Sequence, residues 1–251
     1  MTEVFCEYME MTTQGLLERI ARGFAAALPG QCAVCRAWPA QPLCEACVHR
    51  FAQPRPRCRR CALPVPAAVT ECGRCIAHPP PLDACHAAVS YEYPWSGLIG
   101  RFKFAGDAGW SRTFALLMMS APWVEPAVEN ADLVLPMPLA RERLAERGFN
   151  QSWLLARALG PSKARADLLL RTRHATAQAA LDLKARHANV KGVFAVEPLR
   201  AHELRGQRVL LVDDVMTSGA SLGAAAQVLR EAGAAQVAAV VLARTDEPAR
   251  G

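Results

Sequence analysis

Two hydrophobic rhythms run along this chain, separated by a stretch that has neither. From Thr12 or Thr13 as a cap, Leu16, Leu17, Ile20, Phe24 and Leu28 recur at helical spacing until Pro29-Gly30 ends the run, which predicts a helix within residues 1–30. Residues 32–75 carry many prolines and almost no helix or strand periodicity. Pro79-Pro80-Pro81 marks a boundary. Beyond it lie β-prone residues 87–93, a short apolar run at 99–104, a buried helix over 114–119, and a buried strand over 132–138 that proline ends. A helix is expected over 151–159 with Asn150 as its cap, then weaker strands near 167–170 and 193–196. Val209-Leu-Leu-Val212 is apolar without alternation, as in a parallel strand covered on both faces. An Ala-rich helix follows from about Ser221 to Ala232, and residues 236–242 complete the sheet. Strands alternating with helices mean an α/β layer with a mostly parallel sheet. The expected division is a helix at 1–30, an irregular module at 31–78 and an α/β domain at 79–251.

The irregular module cannot build a core of its own and needs another source of order. Cysteine spacing supplies one. Cys32/Cys35, Cys44/Cys47, Cys58/Cys61 and Cys72/Cys75 are four Cys-x-x-Cys pairs, and two such pairs make one tetrahedral zinc site. Two structural zinc ions are expected, paired in sequence order; a cross-braced pairing, disulfides or ribbons that have lost their metal are the alternatives. Cys6 and Cys85 stand alone and read as small buried residues. His49, His78, His86, His174 and His187 show no ligand spacing.

Metal also changes the charge. The formal net charge is +6, and eight thiolates set against two divalent cations bring it to about +2. Bulk charge therefore gives little reason for nucleic-acid binding. A local patch remains: Arg55, Arg57, Arg59 and Arg60 surround Cys58, and Trp38, Trp95 or Phe51 can stack on bases. The bland reading of those arginines is a solvated linker. A hydrophobic share of 52% with 21% charged residues describes a globular chain. No apolar run reaches the roughly 18 to 20 residues of a membrane span. The start shows Glu3, Glu7 and Glu10 rather than a signal pattern, so the cytoplasm is expected.

The chemistry concentrates after residue 208. Asp213 and Asp214 end the apolar strand, and Val215-Met216-Thr217-Ser218-Gly219-Ala220-Ser221 leads into the next helix. Ligands of open α/β sheets bind at the carboxyl ends of strands, and a helix N-terminus receives a phosphate. Thr217, Ser218 and Ser221 add hydroxyl donors, and the carboxylates accept hydrogen bonds from vicinal hydroxyls. Phosphate cup and diol clamp together describe a ribose 5-phosphate site. An acidic pocket of another α/β protein is the competing reading.

This run resembles the signature with which type I phosphoribosyltransferases bind 5-phosphoribosyl pyrophosphate (PRPP). That resemblance implies Mg²⁺ and a set of cations for the pyrophosphate. Arg141 and Arg147 lie in a segment running from a strand end to a helix start, although Arg141, Glu142, Arg143 and Glu146 also alternate as on a solvated helix face. Arg171 and Arg173 open a polar stretch that reaches Asn189 and reads either as a lid or as a short surface helix. Lys103 is a further phosphate contact or an edge-strand lysine.

Over about residues 16–245 the chain resembles the ComF family, which joins a zinc module to a phosphoribosyltransferase-like domain. The likeness rests on the two cysteine quartets, Pro136-x-Pro138, Arg147-Gly-Phe-Asn-Gln151, Arg171-x-Arg173-x-x-Thr176-x-Gln178 with Arg186 and Asn189, and the PRPP run. It implies an α/β fold of the type I phosphoribosyltransferase kind behind a small zinc-ribbon module. It also implies a link to DNA uptake or to nucleotide metabolism, either as a transferase or as a non-catalytic PRPP sensor or single-stranded-DNA-binding factor. Single-stranded DNA or a DNA-uptake helicase is the partner that this resemblance implies. The acceptor is not legible, because acceptor pockets are built from irregular segments that vary freely.

Overall fold

The structure, a computed structural model, describes residues 30–172 and 192–246. The predicted N-terminal helix and most of the 171–189 stretch lie outside them. The chain divides into two compact units, residues 1–49 and 50–251.

In the first unit, a bridge between Gly30 and Ala40 and the start of helix α1 (Glu45–Phe51) hold the first cysteine quartet. The second unit begins with the other quartet, which includes the short helix α2 (Gly73–Ala77). Four parallel strands then form the main sheet: β1 (Ala84–Ser90), β2 (Leu133–Pro136), β5 (Arg208–Met216) and β6 (Gln236–Arg244), in the spatial order β1-β6-β5-β2. β6 is last in sequence but lies inside the sheet. A separate antiparallel pair joins β3 (Leu169–Arg171) to β4 (Phe194–Val196).

Helices cover both faces, and this is why the interior strands are apolar without alternation. Val209, Leu211, Val237, Ala239 and Val241 share one core with Leu222, Ala225, Ala226 and Leu229 of helix α8 (Ala220–Glu231) and with Leu169 and Phe194 of the antiparallel pair. Alternate positions point to the opposite face of a sheet. There α4 (Trp110–Met119), α5 (Val124–Asn130) and α7 (Gln151–Leu159) pack on the strands. Between β1 and α4, the run at 99–104 belongs to helix α3 (Trp95–Phe104), which buries Trp95, Leu98, Ile99 and Phe102 at helical spacing. Lys103 is therefore not an edge-strand lysine. Residues 141–147 form α6 (Arg141–Arg147), a short helix with no buried residue, and Gly148 at φ 75° ends it. Asn150 caps α7 as expected: its side chain accepts from the amides of Ser152 and Trp153, and its Nδ2 donates to the Met137 carbonyl at 3.0 Å.

Candidate functional site

β2 ends in register with Val212, so the last residues of β5 reach past it. Asp213 and Asp214 occupy this overhang, and the chain then turns through Thr217 and Ser218 into α8. Gly219 makes the turn possible. Its φ is 81°, and a Cβ there would sit 2.4 Å from the Met216 methyl. No side chain caps the twelve-residue α8 from Gly219, while Thr217 and Ser221 face solvent and Ser218 and Gly219 are half-buried. Ser218 Oγ accepts from the Ala220 amide at 3.3 Å. Met216 and Ala220 are buried and hold the turn from beneath, while Val215 pairs with Ala243.

The acid pair is held asymmetrically. Asp213 accepts from Ser152 Oγ at 2.8 Å and from the Asp214 amide at 3.0 Å. Burial first, and the neighbouring Asp214 charge second, raise its pKa to about 7 against these hydrogen bonds and Lys103. Asp214 is 7% exposed, and Lys103 Nζ sits 2.9 Å from its Oδ1. Arg147 lies close enough to feel the Asp214 charge, donates to Gln151 Oε1 at 3.1 Å and stands over the exposed Phe104 ring at 5.0 Å. Arg171, on β3 with its guanidinium over Phe194, feels the Asp213 charge. Burial lowers the pKa of both arginines. Three buried donors here have no hydrogen-bond partner: Arg147 Nε, Gln151 Nε2 and Arg171 Nε. Unpaired buried donors are costly and mark places where a ligand or water belongs.

Lys103 thus contacts the acid pair, and Arg147 and Arg171 lie within reach of its charge. Arg141 is exposed at the start of α6. Arg173 lies outside the described residues, as do Thr176, Gln178, Arg186 and Asn189. Sequence reasoning missed Ser152, whose only signal was a polar residue in the first turn after the Asn150 cap. It also missed Arg244, a charge ending the apolar strand β6.

The cysteines form the two sets Cys32/Cys35/Cys44/Cys47 and Cys58/Cys61/Cys72/Cys75, each with its sulfur atoms within 4.8 Å of one another. The pairing is sequential. Cys35–Cys44 and Cys61–Cys72 sulfur distances are 3.6 and 3.7 Å. A tetrahedron of Zn–S bonds near 2.3 Å has edges of about 3.8 Å, whereas a disulfide needs about 2.05 Å. Backbone amides reinforce the fit: Cys44 N donates to Cys32 Sγ and Cys72 N to Cys58 Sγ. Burial opposes ionisation of Cys32 and Cys58, but these and neighbouring amides draw their pKa values down to about 6 and about 7. Both quartets can hold zinc. Cys85 is buried, with its thiol pushed up to about 12 by burial first.

The four arginines around Cys58 are engaged with the fold. Arg55 pairs with Glu92, Arg59 and Arg60 share Glu71, Arg60 also donates to the Leu82 carbonyl, and Arg57 donates to the Ala62 carbonyl and to Ser90. Trp95 is buried, with its indole donating to the Phe51 carbonyl, so it is not free to stack; Trp38 is exposed. Among the described residues no helix is long and apolar enough to cross a membrane.

Residues 162–250 match the family model of the phosphoribosyl transferase domain. The DNA utilization protein YhgH of Escherichia coli is 31% identical over 228 residues, covering 87% of this chain and 98% of that protein. Competence protein F of Haemophilus influenzae is 31% identical over 212 residues, covering 80% and 90%. Competence protein ComFC of Bacillus subtilis is 30% identical over 151 residues, covering 59% and 58%.

Proposed function

The chain belongs to the ComF family of phosphoribosyltransferase-like proteins, and we propose that it binds PRPP with Mg²⁺ where β5 meets α8, in the service of DNA utilization or competence. One observation carries this reading. A glycine turn with exposed hydroxyls at Thr217 and Ser221 opens a twelve-residue helix beside an acid pair that Lys103 contacts and whose charge reaches Arg147 and Arg171.

In this reading the first amides of α8, with the Thr217, Ser218 and Ser221 hydroxyls, receive the 5-phosphate. Asp213 and Asp214 accept hydrogen bonds from the ribose hydroxyls. Arg147 and Arg171 meet the pyrophosphate, and their unpaired Nε donors supply hydrogen bonds that the protein alone leaves unmade. Lys103 neutralises Asp214 in the free protein and can turn to the pyrophosphate when the ribose arrives. Arg141 and Arg173 are further cations for the same group. Mg²⁺ supplies charge neutralisation for the pyrophosphate. Transfer breaks the bond between ribose C1 and the pyrophosphate oxygen and joins C1 to an acceptor nucleophile, with the departing charge held by the arginines. A reducing cytoplasm suits eight metal-binding thiolates. Single-stranded DNA or a helicase meeting the Arg55–Arg60 cluster would compete with the Glu92 and Glu71 carboxylates that now pair with Arg55, Arg59 and Arg60.

Calorimetry with PRPP and Mg²⁺ tests the binding. Wild type is expected to bind, and the double variant Asp213→Ala, Asp214→Ala to fold but not bind. Equal affinity of the two proteins rejects the site. Pyrophosphate release from PRPP in the presence of pooled nucleobases or cell extract tests the transfer.

A further inference from the structure

Arg244 ends β6 with no exposed surface. Its Nε donates to the Cys61 carbonyl at 2.9 Å. Its Nη1 reaches the Met216 carbonyl at 3.4 Å, the Thr245 carbonyl, and Thr245 Oγ1 at 3.3 Å. The Thr245 amide donates to the same Met216 carbonyl at 3.1 Å. Arg244 Nη2 is buried without a hydrogen-bond partner.

One guanidinium therefore spans two sites. Cys61 belongs to the second cysteine quartet, and Met216 is the residue from which the phosphate turn departs. The Met216 side chain continues the connection in both directions: its methyl lies under Gly219, and its sulfur accepts from Cys85 at 3.5 Å within the core that the quartet shares.

Charge points the same way. Arginine stays protonated in proteins, and a buried cation needs a counter-charge. The hydrogen-bond acceptors of Arg244 are three backbone carbonyls and one hydroxyl, all neutral. Four thiolates around one Zn²⁺ carry a net charge of −2, and Arg244 is bonded to the peptide of one of those ligands.

We propose that Arg244 is a positioning residue that ties the second zinc site to the phosphate turn, so that metal at Cys58/Cys61/Cys72/Cys75 sets the order of residues 215–221. Only the ligand-linked half of this proposal rests on the PRPP reading. Linkage is reciprocal: anything that binds the turn should hold the second zinc more tightly.

The test uses the full zinc-loaded chain and follows hydrogen exchange by mass spectrometry, together with zinc release to a chromogenic chelator. Removing the second zinc, by chelator or by Cys75→Ser, is expected to speed exchange in residues 215–221 by about tenfold, while Cys35→Ser in the first quartet leaves them unchanged. Arg244→Met is expected to loosen the same amides with both metals retained, and Arg244→Lys, which keeps the charge but not the fork, to restore part of the protection. PRPP with Mg²⁺ should slow release of the second zinc in wild type and not in Arg244→Met. If Arg244→Met does not fold, chelator-stripped wild type and Arg244→Lys carry the decision. Unchanged exchange after loss of the second zinc overturns the proposal, as does an equal effect from Cys35→Ser. Failure of wild type to bind PRPP overturns the functional reading instead and leaves the metal-dependent exchange as its own result.

Discussion

Replacing Asp213 by Asn should stabilise this protein, and more so as pH rises. Burial, followed by the adjacent Asp214 charge, lifts the Asp213 pKa from its ordinary 3.8 to about 7. Below pH 3.8 the carboxyl is neutral in both the folded and unfolded chain. Between pH 3.8 and 7 the unfolded chain has released a proton that the folded protein keeps. Stability therefore falls with rising pH across that window and is level above it. At about 1.4 kcal/mol per pKa unit, the whole window is worth about 4 kcal/mol as an upper bound. More than half of it falls between pH 5 and 8, and partial solvation of Asp213 reduces that share to about 1 kcal/mol. Asparagine removes the charge and keeps an oxygen that can accept from Ser152 and from the Asp214 amide. Urea unfolding of both proteins at pH 5, 6.5 and 8 measures the difference, and zinc loss at low pH affects both alike. The variant's advantage should be about 1 kcal/mol larger at pH 8 than at pH 5. Parallel stability curves across that range refute the assignment of a raised carboxyl.

Gly219→Ala should cost about 1–2 kcal/mol, because an L-residue is strained at φ 81° and the Met216 methyl must move, and a fall in the urea midpoint checks it. Lys103→Met leaves the Asp214 carboxylate nearly buried without its ammonium; a loss of about 2 kcal/mol is expected, with recovery in the double variant Lys103→Met, Asp214→Asn. Asn150→Ala removes the α7 cap and the bond to Met137, for about 1–2 kcal/mol in thermal unfolding, whereas Asn150→Asp keeps the cap and loses only the bond.

The strand, turn and helix from 208 to 231 were legible because each follows from a local rule. A strand buried on both faces must be apolar throughout, a left-handed turn calls for glycine, and α8 is rich in alanine. The Asn150 cap was legible for the same reason. Residues 99–104 were not, because three apolar positions in six, Ile99, Phe102 and Phe104, fit a strand or a helix equally well. The decisive spacing of Trp95, Leu98, Ile99 and Phe102 begins earlier and is interrupted by Gly97 and Gly100, which weaken any helical reading. The position of Lys103 beside Asp214 follows from that helix meeting a strand more than a hundred residues away, and no local pattern encodes such a meeting. Sheet order is hidden likewise: adjacency in sequence gives no hint that β6 lies between β1 and β5.

The two quartets show where motif reading stops and packing begins. Both have the same pair spacing, yet the first leaves Cys35 exposed and the second buries all four ligands in the core beneath α8. The difference lies in the flanks. Cys35 is followed by Arg36, Ala37 and an exposed Trp38, whereas Cys61 is followed by Ala62, Leu63 and Val65, which pack into that core. Ligand spacing specifies a metal, and the neighbouring side chains decide whether that metal orders only its own loop or becomes part of the domain. A buried quartet that holds zinc would place negative thiolates inside an apolar core, where their charge is poorly screened. Arg244, fully buried and bonded to the Cys61 carbonyl, sets a positive charge beside that site, and the apolar run of β6 before it gave no reason to expect a cation at its end.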